Sequence, residues 1–183
     1  MTKLVQRESQ WISDEVKINY YECGSFGCVF FDDEGFAIKV FKNKSNVSRN
    51  HIEQVFKFET DAYELAMQDS DLKKIVPTYH GKLLCDSVHD SKGNDISNKF
   101  HLDLAYKMTK LSGRFEKKSI EDELVRKKFE SAGINHISDV SIATDGMNIT
   151  GVVDFATQEI EIMADDVPDY FTELIQDPLP KKY

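Results

Sequence analysis

The chain has 183 residues, a formal net charge of −9 and a hydrophobic content of 40%, which suits one domain with a real core. The acidic excess argues against a nucleic-acid binder and against an anionic membrane partner, because phosphates need a cationic protein face. No apolar run reaches the length of a membrane span, and the N-terminal "MTKLVQRESQW" lacks the apolar middle of a signal peptide. A cytoplasmic location is therefore expected.

The three cysteines, Cys23, Cys28 and Cys85, are odd in number and show no CxxC spacing. They are expected to be reduced thiols of a cytoplasmic protein, with packing roles. The five histidines fall in no metal-ligand spacing. The sequence therefore predicts neither a disulfide nor a histidine metal site.

Three short strands are predicted near the N-terminus. "VKINYYEC" (Val16 to Cys23), "CVFF" and "FAIKVF" are rich in β-branched and aromatic residues. "DDEG" between the last two has the chemistry of a hairpin turn. Gly24 and Gly27 lie in the connection between the first two strands.

A helix is predicted from Asn50 to Met67, where the apolar period changes to three and four residues. Glu59 lies on the apolar stripe of this helix, and a carboxylate there is costly unless it is paired. "IVPTYHGKLLC" and the alternating "HLDLAYKM" (His101 to Met108) predict two more strands, joined by a polar surface loop. Up to Met108 the sequence predicts five strands, with one helix after the third.

A second helix is predicted to begin at Ser119, with Asp122 at the capping-box distance and Gly133 just past its end. "DVSIATDGMNITGVVDFATQEIEIM" then predicts short strands joined by "TDG" and by a turn near Thr157. A last short helix is predicted over "DYFTELIQ", followed by a tail, "DPLPKKY".

Lys39 interrupts the apolar run "AIKVF", where strand alternation gives it the same face as Ala37 and Phe41. A buried ammonium needs a counter-charge, and Glu59 on the buried face of the next helix is the candidate. The glycines before this strand would let backbone N–H groups approach phosphate oxygens closely. In the alternative interpretation Lys39 lies on an edge strand or extends to solvent, and the glycines are plain turn residues.

"GSFGCV" followed by "AIKVF" resembles the glycine-rich loop and third-strand lysine of the protein-kinase-like superfamily, whose loop is G-x-G-x-x-G-x-V. Gly24, Gly27 and Val29 match that pattern, and Glu22 replaces its first glycine. The resemblance implies that the glycine loop covers the phosphates of ATP.

The same resemblance implies roles for the residues that follow the loop. Lys39 would hold the α- and β-phosphates, and Glu59 would orient it. Val29 and Ala37 would cover the adenine, and Met108 would lie where the chain enters the hinge between the two lobes.

"GVVDFA" resembles the strand that leads to the D-F-G metal site, which implies that Asp154 is a Mg²⁺ ligand. Ala156 replaces the family's glycine. An ordinary hairpin with Asp154 on its solvent face is the alternative interpretation. The nearest match to the family's catalytic loop, H-R-D-x-x-x-x-N, is "HISDVSIAT". It makes Asp139 the candidate base and leaves Thr144 at the offset of the metal-binding asparagine, and a capped turn is the alternative.

The resemblance thus predicts an α+β fold with a protein-kinase-like N-lobe, a five-stranded antiparallel sheet plus one helix, over residues 1–111. Residues 112–183 would form a much reduced C-lobe, too short for the family's usual helices. The predicted function is that of a degenerate kinase, which binds ATP and Mg²⁺ weakly and acts by binding a partner protein. The alternative is an active minimal protein kinase. By analogy of fold, so short a version suits a phage protein or a bacterial effector in a host cytoplasm.

Overall fold

The computed structural model describes residues 2–6, 16–90 and 92–155. Predictions that fall on residues 156–183, namely the turn near Thr157, the last short helix, the tail and the substitution at Ala156, lie outside the described residues. The elements in chain order are β1 (Thr2–Gln6), β2 (Val16–Cys23), β3 (Gly27–Asp32), β4 (Phe36–Lys42), α1 (Arg49–Gln68), β5 (Tyr79–Leu83), β6 (Cys85–Val88), β7 (Phe100–Thr109), β8 (Glu116–Lys118), α2 (Glu123–Ser131), β9 (Val140–Thr144) and β10 (Ile149–Val153).

The larger sheet has seven strands in the order β5-β7-β4-β3-β2-β1-β6, and every neighbouring pair is antiparallel. The five predicted strands all form and are contiguous in it, from β5 to β2. The predicted "DDEG" hairpin is confirmed: Asp32 Oδ1 accepts hydrogen bonds from the backbone N–H groups of Glu34 (3.0 Å) and Phe36 (2.7 Å). Gly35 supplies the positive φ, 88°, that the turn requires.

Two strands of this sheet were not predicted. β1 adds to β2, and β6 occupies the start of the segment that was expected to be a polar surface loop. The correction has a physical reason, because β6 pairs with β1, about eighty residues away in the sequence, and local composition carries no signal for so distant a partner.

α1 begins where Ser48 accepts a hydrogen bond from the backbone N–H of His51 (3.2 Å). Its apolar stripe packs against one face of the larger sheet, where the rings of Phe41 and Phe56 meet edge to face at 5.4 Å. Its opposite face carries ion pairs between residues four apart, such as Arg49 with Glu53. In the part of the chain that the structure describes, neither α-helix is long and apolar enough to cross a membrane.

The smaller sheet has three strands in the order β10-β9-β8. The predicted "TDG" turn joins β9 to β10, where Asp145 Oδ1 accepts from the backbone N–H groups of Met147 (3.0 Å) and Asn148 (2.8 Å). β8 was not predicted, because three charged residues do not carry a strand pattern. A continuous apolar core joins this sheet to α1 through Phe129 and Phe155.

The start of α2 corrects a prediction. The helix begins at Glu123 rather than near Ser119, because Asp122 is itself the cap and accepts from the backbone N–H groups of Leu124 (2.9 Å) and Val125 (3.1 Å). The Ser119 hydroxyl instead donates to the carbonyl of Ser138 at 2.6 Å. The predicted end is confirmed, since Gly133 adopts φ 86° just past the helix.

The cysteines also correct a prediction, because Cys23 and Cys28 form a disulfide. The antiparallel register of β2 and β3 places the two residues directly opposite each other, with their Cα atoms 4.0 Å apart. Cys85 is a free, buried thiol, and burial together with Asp86 raises its pKa to about 12. The cytoplasmic location stays a prediction. Because two of the cysteines form a disulfide, the expectation of reduced thiols no longer supports it.

Candidate functional site

A cavity of about 450 Å³ lies between the larger sheet, α1 and the smaller sheet. That volume is in the range of small-molecule sites in proteins. With the exception of Asp139, the candidate site residues named from the sequence all line it: Gly24, Gly27, Val29, Ala37, Lys39, Glu59, Met108 and Asp154. Residues separated by more than a hundred positions in the chain are thus brought to one cavity.

Lys39 is held in the interior of the larger sheet. Its strand, β4, lies between β3 and β7, so the edge-strand interpretation is wrong, and the residue is only 5% exposed. Its ammonium lies 2.8 Å from both carboxylate oxygens of Glu59 and 3.0 Å from Oδ1 of Asp154. The predicted buried pair of Lys39 and Glu59 is therefore confirmed as a contact, with Asp154 as a third member.

The two carboxylates determine the charge of Lys39. Burial disfavours the ammonium, but the charges of Asp154 and Glu59 and their hydrogen bonds outweigh burial and raise the pKa of Lys39 above its ordinary value. Burial raises the pKa of Glu59, an effect that Lys39 opposes. The lysine is thus a fixed cation between two acidic groups, and the three together attract a further positive charge.

Asp154 has a strained backbone. Its φ of 68° makes it the one non-glycine residue of the described segments with positive φ, a conformation that costs about 1–2 kcal/mol. Its backbone N–H donates to the hydroxyl of Tyr63, a fully buried residue of α1, at 3.2 Å. Since its carboxylate contacts Lys39, the interpretation that placed it on a plain solvent face is wrong. Strain of this kind is concentrated at functional sites.

Gly24 lies in the turn between β2 and β3, whereas Gly27 is the first residue of β3, and the space around the two glycines differs. A Cβ at Gly27 would lie 2.8 Å from the carbonyl oxygen of Val40, so the close approach of two strands excludes any side chain there. A Cβ at Gly24 would meet nothing within 4 Å. Outside the cavity, Lys42 donates to the carbonyl of Gly24 at 2.6 Å, and Lys44 donates to that of Ser25 at 3.2 Å. The loop is thus held from its outer side.

Asp139 lies outside the cavity lining. Its Oδ2 is 3.1 Å from the ammonium of Lys117, a residue of β8 that does line the cavity. His136, its neighbour in the catalytic-loop match, packs its ring edge to face on Phe58 at 5.3 Å. The role of Asp139 as a base stays a prediction.

Tyr63, Tyr106, Lys117 and Ser141 line the cavity and were not named as site residues from the sequence. Both tyrosines lie on predicted apolar faces, and Tyr63 also follows Glu59 by four residues on the same helix, whereas the pairing of Tyr106 with Lys39 depends on strand register. Lys117 carried no signal in the sequence, because its place depends on the pairing of β8 with β9. Sequence patterns thus identified the side of the cavity formed by the larger sheet and α1, and missed Lys117 and Ser141 on the side formed by the smaller sheet, which is called the floor of the cavity below.

The residues present fit a magnesium ion that also binds phosphate. Mg²⁺ is held by one or two carboxylates together with phosphate oxygens and water, rather than by a cage of protein ligands. Asp154 offers a carboxylate whose side chain is 34% exposed. Within residues 2–6, 16–90 and 92–155, no group of three or more His, Cys, Asp or Glu side chains is arranged to hold a metal ion.

Comparisons with protein-family models, with curated proteins and with solved structures find no match to this chain. The chemistry that the cavity can support therefore follows from the side chains and main chain that line it. It combines a buried cation, two carboxylates in contact with that cation, and a loop of main chain above them.

Proposed function

We propose that this chain is a reduced protein-kinase-like domain that binds ATP with Mg²⁺ in the cavity and acts by binding a partner protein. One observation carries the proposal: Lys39 lies between Glu59 and Asp154 under the loop that holds Gly24 and Gly27. A buried lysine paired with a helix carboxylate beside a second, partly exposed carboxylate is a suitable site for a phosphate chain with its metal ion.

The proposal gives each member of the trio a task. Lys39 has three N–H donors, two of which are directed at Glu59 and one at Asp154. When phosphate enters, the donor on Asp154 turns to a phosphate oxygen while Glu59 keeps the ammonium in position. Asp154 would then hold the metal ion, and Mg²⁺ at this place would neutralise the charge of the phosphates.

The apolar part of the cavity suits a nucleobase. Val29 and Ala37 project from adjacent strands of the larger sheet, and Met108 pairs with Ala37 on the third. A flat aromatic base stacked between such side chains is removed from water without burying an unpaired charge. Glu22 also lines the cavity near the loop, and its negative charge makes ATP binding weak.

Efficient phosphoryl transfer is not part of this proposal. Transfer depends on a base that orients the acceptor and on metal ions at fixed positions. Among the described residues the carboxylates of the cavity are Glu22, Glu59 and Asp154. Asp139, which lies outside the lining, is paired with Lys117. These placements favour a degenerate kinase over an active minimal kinase, and a cytoplasmic site of action belongs to the same proposal.

Calorimetric titration with Mg-ATP tests the proposal. We expect a dissociation constant on the order of 0.1–1 mM for the natural chain and a loss of at least about tenfold in Lys39→Met, which keeps the side chain's bulk but removes its donors. Lys118→Ala, on the outer face of β8, is the control and should bind as the natural chain does. If the natural chain gives neither heat nor a thermal shift at millimolar Mg-ATP, the nucleotide part of the proposal is wrong.

A further inference from the structure

The floor of the cavity carries a lysine that the ATP site proposed above leaves unused. Lys117 lines the cavity, and its ammonium lies 3.1 Å from Oδ2 of Asp139. The two side chains are 46% and 41% exposed. An ion pair as exposed to solvent as this one contributes little to folding stability. Stability therefore does not account for a lysine at this position.

We infer that Lys117 is a second phosphate-binding lysine, which contacts the terminal phosphates of ATP from the smaller sheet while Lys39 contacts the chain of phosphates from the larger one. This inference rests on the proposed function, because it concerns the same cavity. It assigns to β8 a role in distinguishing a triphosphate from a nucleoside.

The strand register places Lys117 two strands away from the end of β10, where Asp154 lies. Lys117 pairs with Ser141 in β9, and Ser141 pairs with Val153 in β10, the residue that precedes Asp154. Paired residues of neighbouring strands point to the same face of a sheet, and the three residues of this row all line the cavity. Two strand spacings are about 10 Å, so the long side chain of Lys117 reaches towards a phosphate bound at Asp154.

The charges of the lining support the assignment. The lysines and carboxylates of the cavity are Lys39, Lys110, Lys117, Glu22, Glu59 and Asp154. Lys39 already contacts two carboxylates, and the ammonium of Lys110 lies 4.9 Å from the centre of the Phe31 ring. Lys117 is the lysine whose partner, Asp139, lies outside the lining, so a more highly charged phosphate can compete for it without disturbing the buried trio.

Asp139 competes with phosphate for Lys117. Its carboxylate contacts the Lys117 ammonium from outside the cavity lining. Because phosphate must displace this contact, Asp139→Asn should bind ATP about two- to threefold more tightly, since a neutral amide holds the ammonium less strongly. A metal-binding or phosphate-orienting role for Asp139 predicts weaker binding instead.

Calorimetry with Mg-ATP and with adenosine as separate probes tests the inference. We expect Lys117→Ala to weaken ATP about tenfold and to leave adenosine unchanged, and Lys117→Arg to restore most of the ATP affinity. Lys118→Ala is the matched control, because it removes the same charge from the same strand on the face that points away from the cavity.

The outcomes separate this inference from the proposed function. Suppose that Lys39→Met loses ATP binding while Lys117→Ala binds ATP as Lys118→Ala does. The phosphate-binding role of Lys117 is then wrong, and the proposed ATP site at Lys39 is retained. If Lys117→Ala weakens ATP and adenosine equally, the residue shapes the cavity rather than binding phosphate, which also overturns the inference. If the natural chain binds no ATP, both are wrong. Circular dichroism of each variant confirms that it is folded.

Discussion

The hydroxyl of Tyr63 holds the strained backbone of Asp154, and its removal is the sharpest test of how the site is built. The hydroxyl accepts a hydrogen bond of 3.2 Å from the Asp154 N–H. Tyr63→Phe leaves the ring, which packs on Phe155 at 5.1 Å and on Tyr106 at 5.6 Å between centroids. The change therefore removes the hydroxyl, with its hydrogen bond from Asp154 and its interaction with Tyr106, from an otherwise intact core.

The magnitude follows from the burial of this group. Loss of a hydrogen bond that leaves a donor unsatisfied costs about 1–3 kcal/mol, and the partial exposure of Asp154 favours the lower half of that range. A loss of about 1.5 kcal/mol lowers Tm by about 3–6 °C in a chain of this length. With a urea m-value of about 2 kcal/mol/M, the unfolding midpoint falls by about 0.75 M.

The chain contains a matched control for this experiment. Tyr79 stacks on Tyr63 at 6.0 Å, and its buried hydroxyl has no hydrogen-bond partner among the described residues. Tyr79→Phe should therefore be neutral or slightly stabilising. Urea unfolding of both variants gives the comparison. Equal midpoints for Tyr63→Phe and Tyr79→Phe would refute the claim that the Tyr63 hydroxyl supports Asp154.

Three further outcomes are expected, for the glycines near the turn between β2 and β3, for the disulfide and for the free cysteine. Gly27→Ala should lower the free energy of unfolding in urea by about 1–3 kcal/mol, because its Cβ would lie 2.8 Å from a main-chain carbonyl oxygen. Gly24→Ala should change it by less than about 0.5 kcal/mol. A larger loss in Gly24→Ala than in Gly27→Ala would contradict the packing described for the two glycines. Peptide mapping without reductant should show that Cys23 and Cys28, which lie in one tryptic peptide, resist alkylation until a reductant is added, and alkylation of both without reductant would contradict the disulfide. Cys85 should react with iodoacetamide only after unfolding, because it is buried and its thiol is hard to ionise.

The buried half of the site was predictable from local periodicity. A period of two placed Lys39 with apolar neighbours, and a period of three to four placed Glu59 on a buried stripe, so each pattern contained one charge that needed a partner. The structure joins the two at 2.8 Å. The chemistry of a buried charge made the long-range contact predictable without any knowledge of the intervening chain.

The rest of the site depends on pairings that local patterns do not contain. β8 has three charged residues and takes its place only by pairing with β9. The disulfide depends on the register between β2 and β3, because Cys23 and Cys28 are five positions apart in the chain and either could have faced elsewhere. The same holds for Asp139, whose partner Lys117 is about twenty residues earlier. Long-range register, not composition, decided these features.

The central claim is that Mg-ATP binds between the glycine loop and the trio of Lys39, Glu59 and Asp154. Titration of ¹⁵N-labelled protein with Mg-ATP, followed by the backbone amide signals, tests it most directly because it locates the ligand. The account predicts saturable shifts concentrated at Gly24, Gly27 and Asp154, and their loss in Lys39→Met. Saturable shifts confined to residues outside the cavity, or no shifts at millimolar nucleotide, would contradict it.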